Sequence, residues 1–148
     1  MSRLRITGGR IIDPASGRDE HGDVLICQGV IESIGGQSDG DQAETIIDAC
    51  GQIVCPGLID LAARLGEPGS ENKATIASES AAAVAGGITT LALPPDTSPA
   101  IDAPSVVELI RRRASDADAA RVLPLGALTR GLEGELLADM AGLQRAGC

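Results

Sequence analysis

Few side chains in this 148-residue chain are of the types that do chemistry near neutral pH, and their spacing limits what they could do. The cysteines are Cys27, Cys50, Cys55 and Cys148, the only histidine is His21 and the only lysine is Lys73. No two cysteines form a CxxC pair, and His21 lies far from most of them, so the spacing argues against a zinc site. The thiols read as free, buried groups in a reducing compartment. His21 sits in "RDEHGD", which reads as a polar turn. The stretch "PGLIDLAARLGEPG", from Pro56 to Gly69, runs from an apolar segment into a polar turn and carries Asp60, Arg64 and Glu67. Arg64 could bind an anion or pair with Glu67 or Asp96. Asp60 could orient a ligand or accept backbone hydrogen bonds at a strand end. Asp96, in "PPDTSP", suits a turn. The run Arg111–Arg113 could offer an acidic partner a docking patch or complement a helix dipole.

The elements that must position these residues fall into two patterns. Up to about residue 55 the apolar residues come in short β-like runs: Leu4–Ile6, Arg10–Ile12, Val24–Cys27, Val30–Ile34, Thr45–Asp48 and Gln52–Cys55. Gln28-Gly29 separates two of these runs by the length of a tight hairpin turn. "DPASG" (Asp13–Gly17) and "GGQSDGDQ" (Gly35–Gln42) are turn or loop chemistry. From Pro56 the pattern alternates between strand and helix. Leu58–Leu61 reads as a strand buried on both faces, and Lys73–Ala85 as a helix stopped by Gly86-Gly87. Thr89–Leu93 is a second strand. A second helix opens at Asp102 or Ala103, with Pro104 in its first turn and Val106, Val107, Ile110 and Ala114 along one face. Arg121–Leu125 is a third strand. Leu132, Leu136, Leu137, Met140 and Leu143 form the stripe of a third helix, with Glu133 near its start and Gly147 at its close.

The fold class expected is therefore α/β. A small, sandwich-like β module occupies residues 1–55, and three βα units with parallel strands and right-handed crossovers occupy 56–148. A doubly wound sheet and a (β/α)₈ barrel both begin this way. A barrel needs eight such units, so this stretch would be the opening of an incomplete TIM barrel, completed by further polypeptide.

Composition excludes some functions. No Phe, Tyr or Trp occurs and the net charge is −9, which argues against nucleic-acid partners: bases have no aromatic platform and phosphates no basic face. No apolar run approaches ~18 residues and no signal peptide opens the sequence. The expectation is a cytoplasmic protein with no membrane partner.

The matching pieces from Pro56 onward are "PGLID", "EPG", "KATI", "AVAGGITT", "PPDTSP" and "VLPLGALTRGLEGE". In order and spacing they resemble the dihydroorotase branch of the amidohydrolase superfamily. The resemblance implies a TIM barrel and a zinc-dependent cyclic amidohydrolase of pyrimidine biosynthesis. It also implies two zinc-binding histidines at the end of the first barrel strand, and these fall on Ala62 and Arg64. The family's substrate-carboxylate arginine falls on Gly66, and its substrate-binding asparagine on Asp96. Alanine has no donor atom, and arginine stays protonated and repels a cation. An aspartate at the asparagine's place repels an anionic substrate. No catalytic residue and no metal ligand can be assigned, and no cofactor is expected. Lys73 lies too early to take the role of the family's bridging lysine. The resemblance points to the non-catalytic dihydroorotase-like proteins, partners of the aspartate transcarbamoylase catalytic subunit in an oligomer. Two alternatives stay open. One is a working amidohydrolase that draws metal ligands from later strands, and the other is a fragment without activity of its own.

Overall fold

The computed structural model describes residues 3–36 and 45–148. The chain divides into two compact units, Met1–Pro56 and Gly57–Cys148. "GGQSDGDQ" lies mostly outside the described residues.

The first unit holds β1 (Arg3–Asp13), β2 (Arg18–Cys27), β3 (Val30–Ile34), β4 (Thr45–Asp48) and β5 (Ile53–Val54). They hydrogen-bond as one five-stranded sheet in the order β3-β2-β1-β4, with β5 also on β1. The runs Leu4–Ile6 and Arg10–Ile12 are halves of one strand, joined through a register shift between Ile6 and Gly9. Gly8 takes φ +69° there, and its N–H donates to Asp23 Oδ1 at 3.1 Å. Such a bulge turns the strand, so one half pairs with β4 and the other with β5. The module is thus one sheet built around a bulged strand, which gives its sandwich-like pattern of short runs. Gln28 and Gly29 both take positive φ in the tight turn between β2 and β3. Ile11, Val24, Leu25 and Ala49 form the buried part of this unit.

His21 lies on β2 opposite Arg10, not in a turn. The polar composition that suggests a turn is a cross-strand ladder: the Arg10 guanidinium donates to both Asp19 carboxylate oxygens at 2.7 Å. That bond, with the neighbouring charge, holds Asp19 below the usual carboxylate range and raises Arg10. The cysteines are free as expected but not buried: Cys50, Cys55 and Cys148 are exposed and Cys27 is half-buried.

The second unit holds β6 (Leu58–Asp60), α1 (Ile76–Ala85), β7 (Ile88–Leu93), α2 (Pro104–Ala117), β8 (Arg121–Pro124) and α3 (Met140–Ala146). The strands form a parallel sheet in the order β6-β7-β8, each strand followed by its helix. Leu91 and Leu93 of β7, Val106, Val107 and Ile110 of α2, and Ile76, Ile101, Val122 and Leu143 form one buried cluster. Of these, Val106, Val107, Ile110 and Leu143 are on the faces that helical periodicity selects.

Several expectations are corrected here. Helix α1 starts at Ile76 rather than Lys73, because Thr75 caps it: its Oγ1 accepts from Ser78 N–H while the Ser78 hydroxyl accepts from Thr75 N–H. Helix α2 is capped by Ala103 without a side-chain bond, and Asp102 Oδ2 instead accepts from Gly131 N–H at 2.7 Å. The expected third helix begins only at Met140. Gly131, Leu132 and Gly134 all take positive φ, which no α-helix tolerates. Residues 129–137 form a loop closed by a Thr129–Leu137 bridge, with a 3₁₀ turn over Arg130–Leu132. Glu133 therefore ends that turn rather than opening a helix. Leu58, Ile59 and Leu61 are each more than half exposed, against the expectation of a doubly buried strand. No β6 side chain joins the buried cluster, which draws its strand residues from β7 and β8.

The arginine run also differs from expectation, since α2 continues to Ala117 and has no basic residue in its last turn. Each arginine has its own partner. Arg111 Nη1 donates to Ala146 O at 2.7 Å, Arg112 lies 4.0 Å from Asp116, and Arg113 Nε lies 3.2 Å from Glu67 Oε1.

Candidate functional site

In a parallel βα fold, loops at the carboxyl ends of the strands build the site. Here a cleft of about 200 Å³ opens beyond β6 and β7, lined by Arg64, Leu65, Gly66, Pro68, Ser70, Leu93, Asp96, Thr97 and Ser98. Three of the four positions singled out from the sequence, Arg64, Gly66 and Asp96, meet there. Ala62 is exposed and does not line the cleft.

Local chemistry explains the arrangement. Strand β6 ends at Asp60, whose Oδ1 accepts the Ala62 N–H at 2.9 Å. This aspartate turn interrupts the ladder, which resumes at Ala63, whose N–H donates to Ala92 O at 2.9 Å. Ala62 and Arg64 thus follow a broken strand end instead of sharing one face of a regular strand. Arg64 Nε donates to Asp96 Oδ2 at 2.8 Å, an ion pair between the loops after β6 and β7. The two loops also meet through their backbones, because Ser98 N–H donates to Pro68 O at 3.1 Å. Gly66 takes φ +74°, and a Cβ built on it would come within 2.6 Å of the Ala74 carbonyl oxygen. Arginine cannot stand at this position without moving that backbone.

Glu67 is the residue that sequence reasoning underrates. It is one of two buried polar side chains in the described residues. Its Oε2 accepts the buried N–H of Ile76, the first residue of α1, at 3.0 Å, and its Oε1 faces Arg113 on α2. The available signal is a charged residue between Leu65 and Pro68, two residues that fold inward. Its partner, far along the chain, leaves no local trace. Nearby, Glu71 Oε1 accepts from Gly69 N–H at 2.9 Å. Backbone N–H donors, that of Gly69 first, hold this carboxyl below its usual range, and Arg113 adds to the effect.

These residues do not fit a zinc ion. The Ala62 side chain offers no lone pair, and Arg64 is a permanent cation whose Nε–H already donates a hydrogen bond to Asp96. Among the described residues, no group of three or more His, Cys, Asp or Glu side chains is placed to hold a metal.

A small β module followed in sequence by parallel strands, each with its helix, is an arrangement the chain shares with solved proteins of the amidohydrolase barrel fold. L-Hydantoinase from Arthrobacter aurescens superposes with a TM-score of 0.73 at 24% identity, over 87% of this chain and 28% of that one. D-Hydantoinase from Thermus sp. gives a TM-score of 0.64 at 26% identity, over 85% of this chain and 28% of that one. The family described as dihydro-orotase-like matches residues 51–148, and this chain belongs to it. A dihydroorotase-like protein of Pseudomonas aeruginosa is 46% identical over 98% of this chain and 34% of its own length. A dihydroorotase of Citrifermentans bemidjiense is 44% identical over the same shares. The chain spans about a third of the length of these curated relatives. No helix among the described residues is long and apolar enough to cross a membrane.

Proposed function

We propose that this chain belongs to a dihydroorotase-like protein that does not hydrolyse dihydroorotate and serves pyrimidine biosynthesis as a structural partner of the aspartate transcarbamoylase catalytic subunit in a cytoplasmic oligomer. One observation carries the reading: where the family resemblance implies a zinc-binding histidine, Arg64 stands and is bonded to Asp96 at 2.8 Å. Metal-assisted amide hydrolysis needs a metal-activated water and a Lewis acid on the carbonyl oxygen, and the first barrel strand contributes to neither. Gly66 and Asp96 also withdraw the grip on a substrate carboxylate. A subunit interface, by contrast, needs only a folded shell.

The experiment has two arms. The protein is assayed with dihydroorotate and added zinc, and aspartate transcarbamoylase is assayed with and without it. No turnover in the first arm and raised transcarbamoylase activity, with co-purification, in the second are expected. Turnover would restore the other reading, a working amidohydrolase with ligands from later strands, which the 44% identity to a protein named dihydroorotase favours. An unchanged transcarbamoylase would remove the structural role.

A further inference from the structure

We infer that the cleft beyond β6 and β7 is filled from within as well as stripped of ligands: Asp96 engages Arg64 and sets its own negative charge against anions, and backbone occupies the space beside Gly66. The inference deepens the non-catalytic reading and rests on it, but its test uses this chain alone. Three observations carry it. The first is electrostatic. A free arginine in a cleft with the hydroxyls of Ser70, Thr97 and Ser98 would suit a carboxylate or phosphate, but Arg64 Nε–H donates to Asp96 Oδ2 at 2.8 Å, and that carboxylate sets a like charge against any anion that approaches. The second is steric. Gly66 has positive φ, and the Ala74 carbonyl oxygen stands 2.6 Å, and its Cβ 2.9 Å, from where a side chain would begin. The turn that carries this carbonyl is closed on itself, with Ser70 N–H on Gly66 O at 2.7 Å and Ala74 N–H on Ser70 O at 3.3 Å. The third is a second close approach. Gly69, at φ +107°, has the Ser98 carbonyl oxygen 2.6 Å from its own Cβ position, so the loops after β6 and β7 touch where the cleft would widen.

Refilling and simple loss predict different behaviour. Gly134 has φ +81° with nothing within 4 Å, so Gly134→Ala reports the cost of left-handed backbone alone. That variant is expected to lower the melting temperature by about 2–4 °C. Gly66→Ala, with crowding added, is expected to lower it by at least twice as much. Equal shifts would mean that the space beside Gly66 is open and would overturn the inference. The second measurement does not need that variant to fold. The Arg64 Nε–H resonance is followed by ¹⁵N NMR during titration with inorganic phosphate and, separately, with malonate. No response is expected in the unaltered chain. A saturable shift is expected in Asp96→Asn, where the guanidinium is released. A response in the unaltered chain, or none in Asp96→Asn, overturns the exclusion of anions by Asp96.

Discussion

Glu67 holds three segments with one carboxylate: the loop after β6, the first turn of α1 and the middle of α2. Its side chain is only 11% exposed while Arg113 is 57% exposed, so the backbone bond to Ile76 matters more than the ion pair. Glu67→Ala leaves the Ile76 N–H buried without an acceptor, which costs about 1–3 kcal/mol. Glu67→Gln keeps an acceptor oxygen and is expected to lose less than half of that. Urea unfolding of the two variants checks the ordering, and equal losses would shift the weight to Arg113. At this scale the sequence is legible where chemistry is local. Asp60 accepts a backbone N–H two residues on, and Arg64 pairs with Asp96, one of two partners that charge alone suggests. Glu67 and Asp102 are not legible in the same way, because their partners Arg113 and Gly131 are brought close only by the helices and strands between.

Elements read correctly where one period runs uninterrupted. The face of Val106, Val107 and Ile110 on α2 is buried as its spacing requires. The stripe from Leu132 to Leu143 has helical spacing too, but left-handed residues at 131, 132 and 134 divide it, and only its last members reach α3. Periodicity records side-chain type and is blind to φ. On the five-stranded sheet, composition misleads in the opposite sense, since the polar run around His21 is a paired strand. That sheet has a pH signature. Asp13, Asp19 and Asp48 are all held below the ordinary aspartate value of 3.8, by the Ser16 hydroxyl, Arg10 and the Cys50 backbone first in each case. A depressed carboxylate contributes stability that is full above the unfolded-state pKa and is lost as pH falls through the folded-state value. The unaltered chain is therefore expected to melt lower at pH 3 than at pH 5. Asp19→Asn should melt below it at pH 5 and converge with it as the pH is lowered. Melts followed by circular dichroism decide this, and a gap that stays constant with pH would count against the Arg10–Asp19 pair.

For the whole molecule, the two-unit division coincides with the change of sequence pattern near Pro56. What composition cannot tell is which apolar residues stay uncovered. Leu58, Ile59 and Leu61 on and after the edge strand, and Leu125 and Leu128 beyond β8, are exposed. Apolar area left in water forgoes about 25 cal/mol per Å², and an unpaired strand edge invites pairing. The 148-residue chain is expected to self-associate as its concentration rises, and Ile59→Lys to weaken that association. Sedimentation velocity over a concentration series checks both, and a monomer throughout would show that the edge is protected. The bulged β1 carries a different consequence, in the order of synthesis. The β2–β3 hairpin can close within about 1–10 μs of leaving the ribosome. β1 can join it at once on one side, but its other side pairs with β4, beginning at Leu4 against Thr45. At about 5–20 residues per second, the roughly 11 residues from the end of β3 at Ile34 to Thr45 take on the order of 0.5–2 s to be made. For that interval the nascent chain carries a half-finished sheet, with β1 paired on one side only.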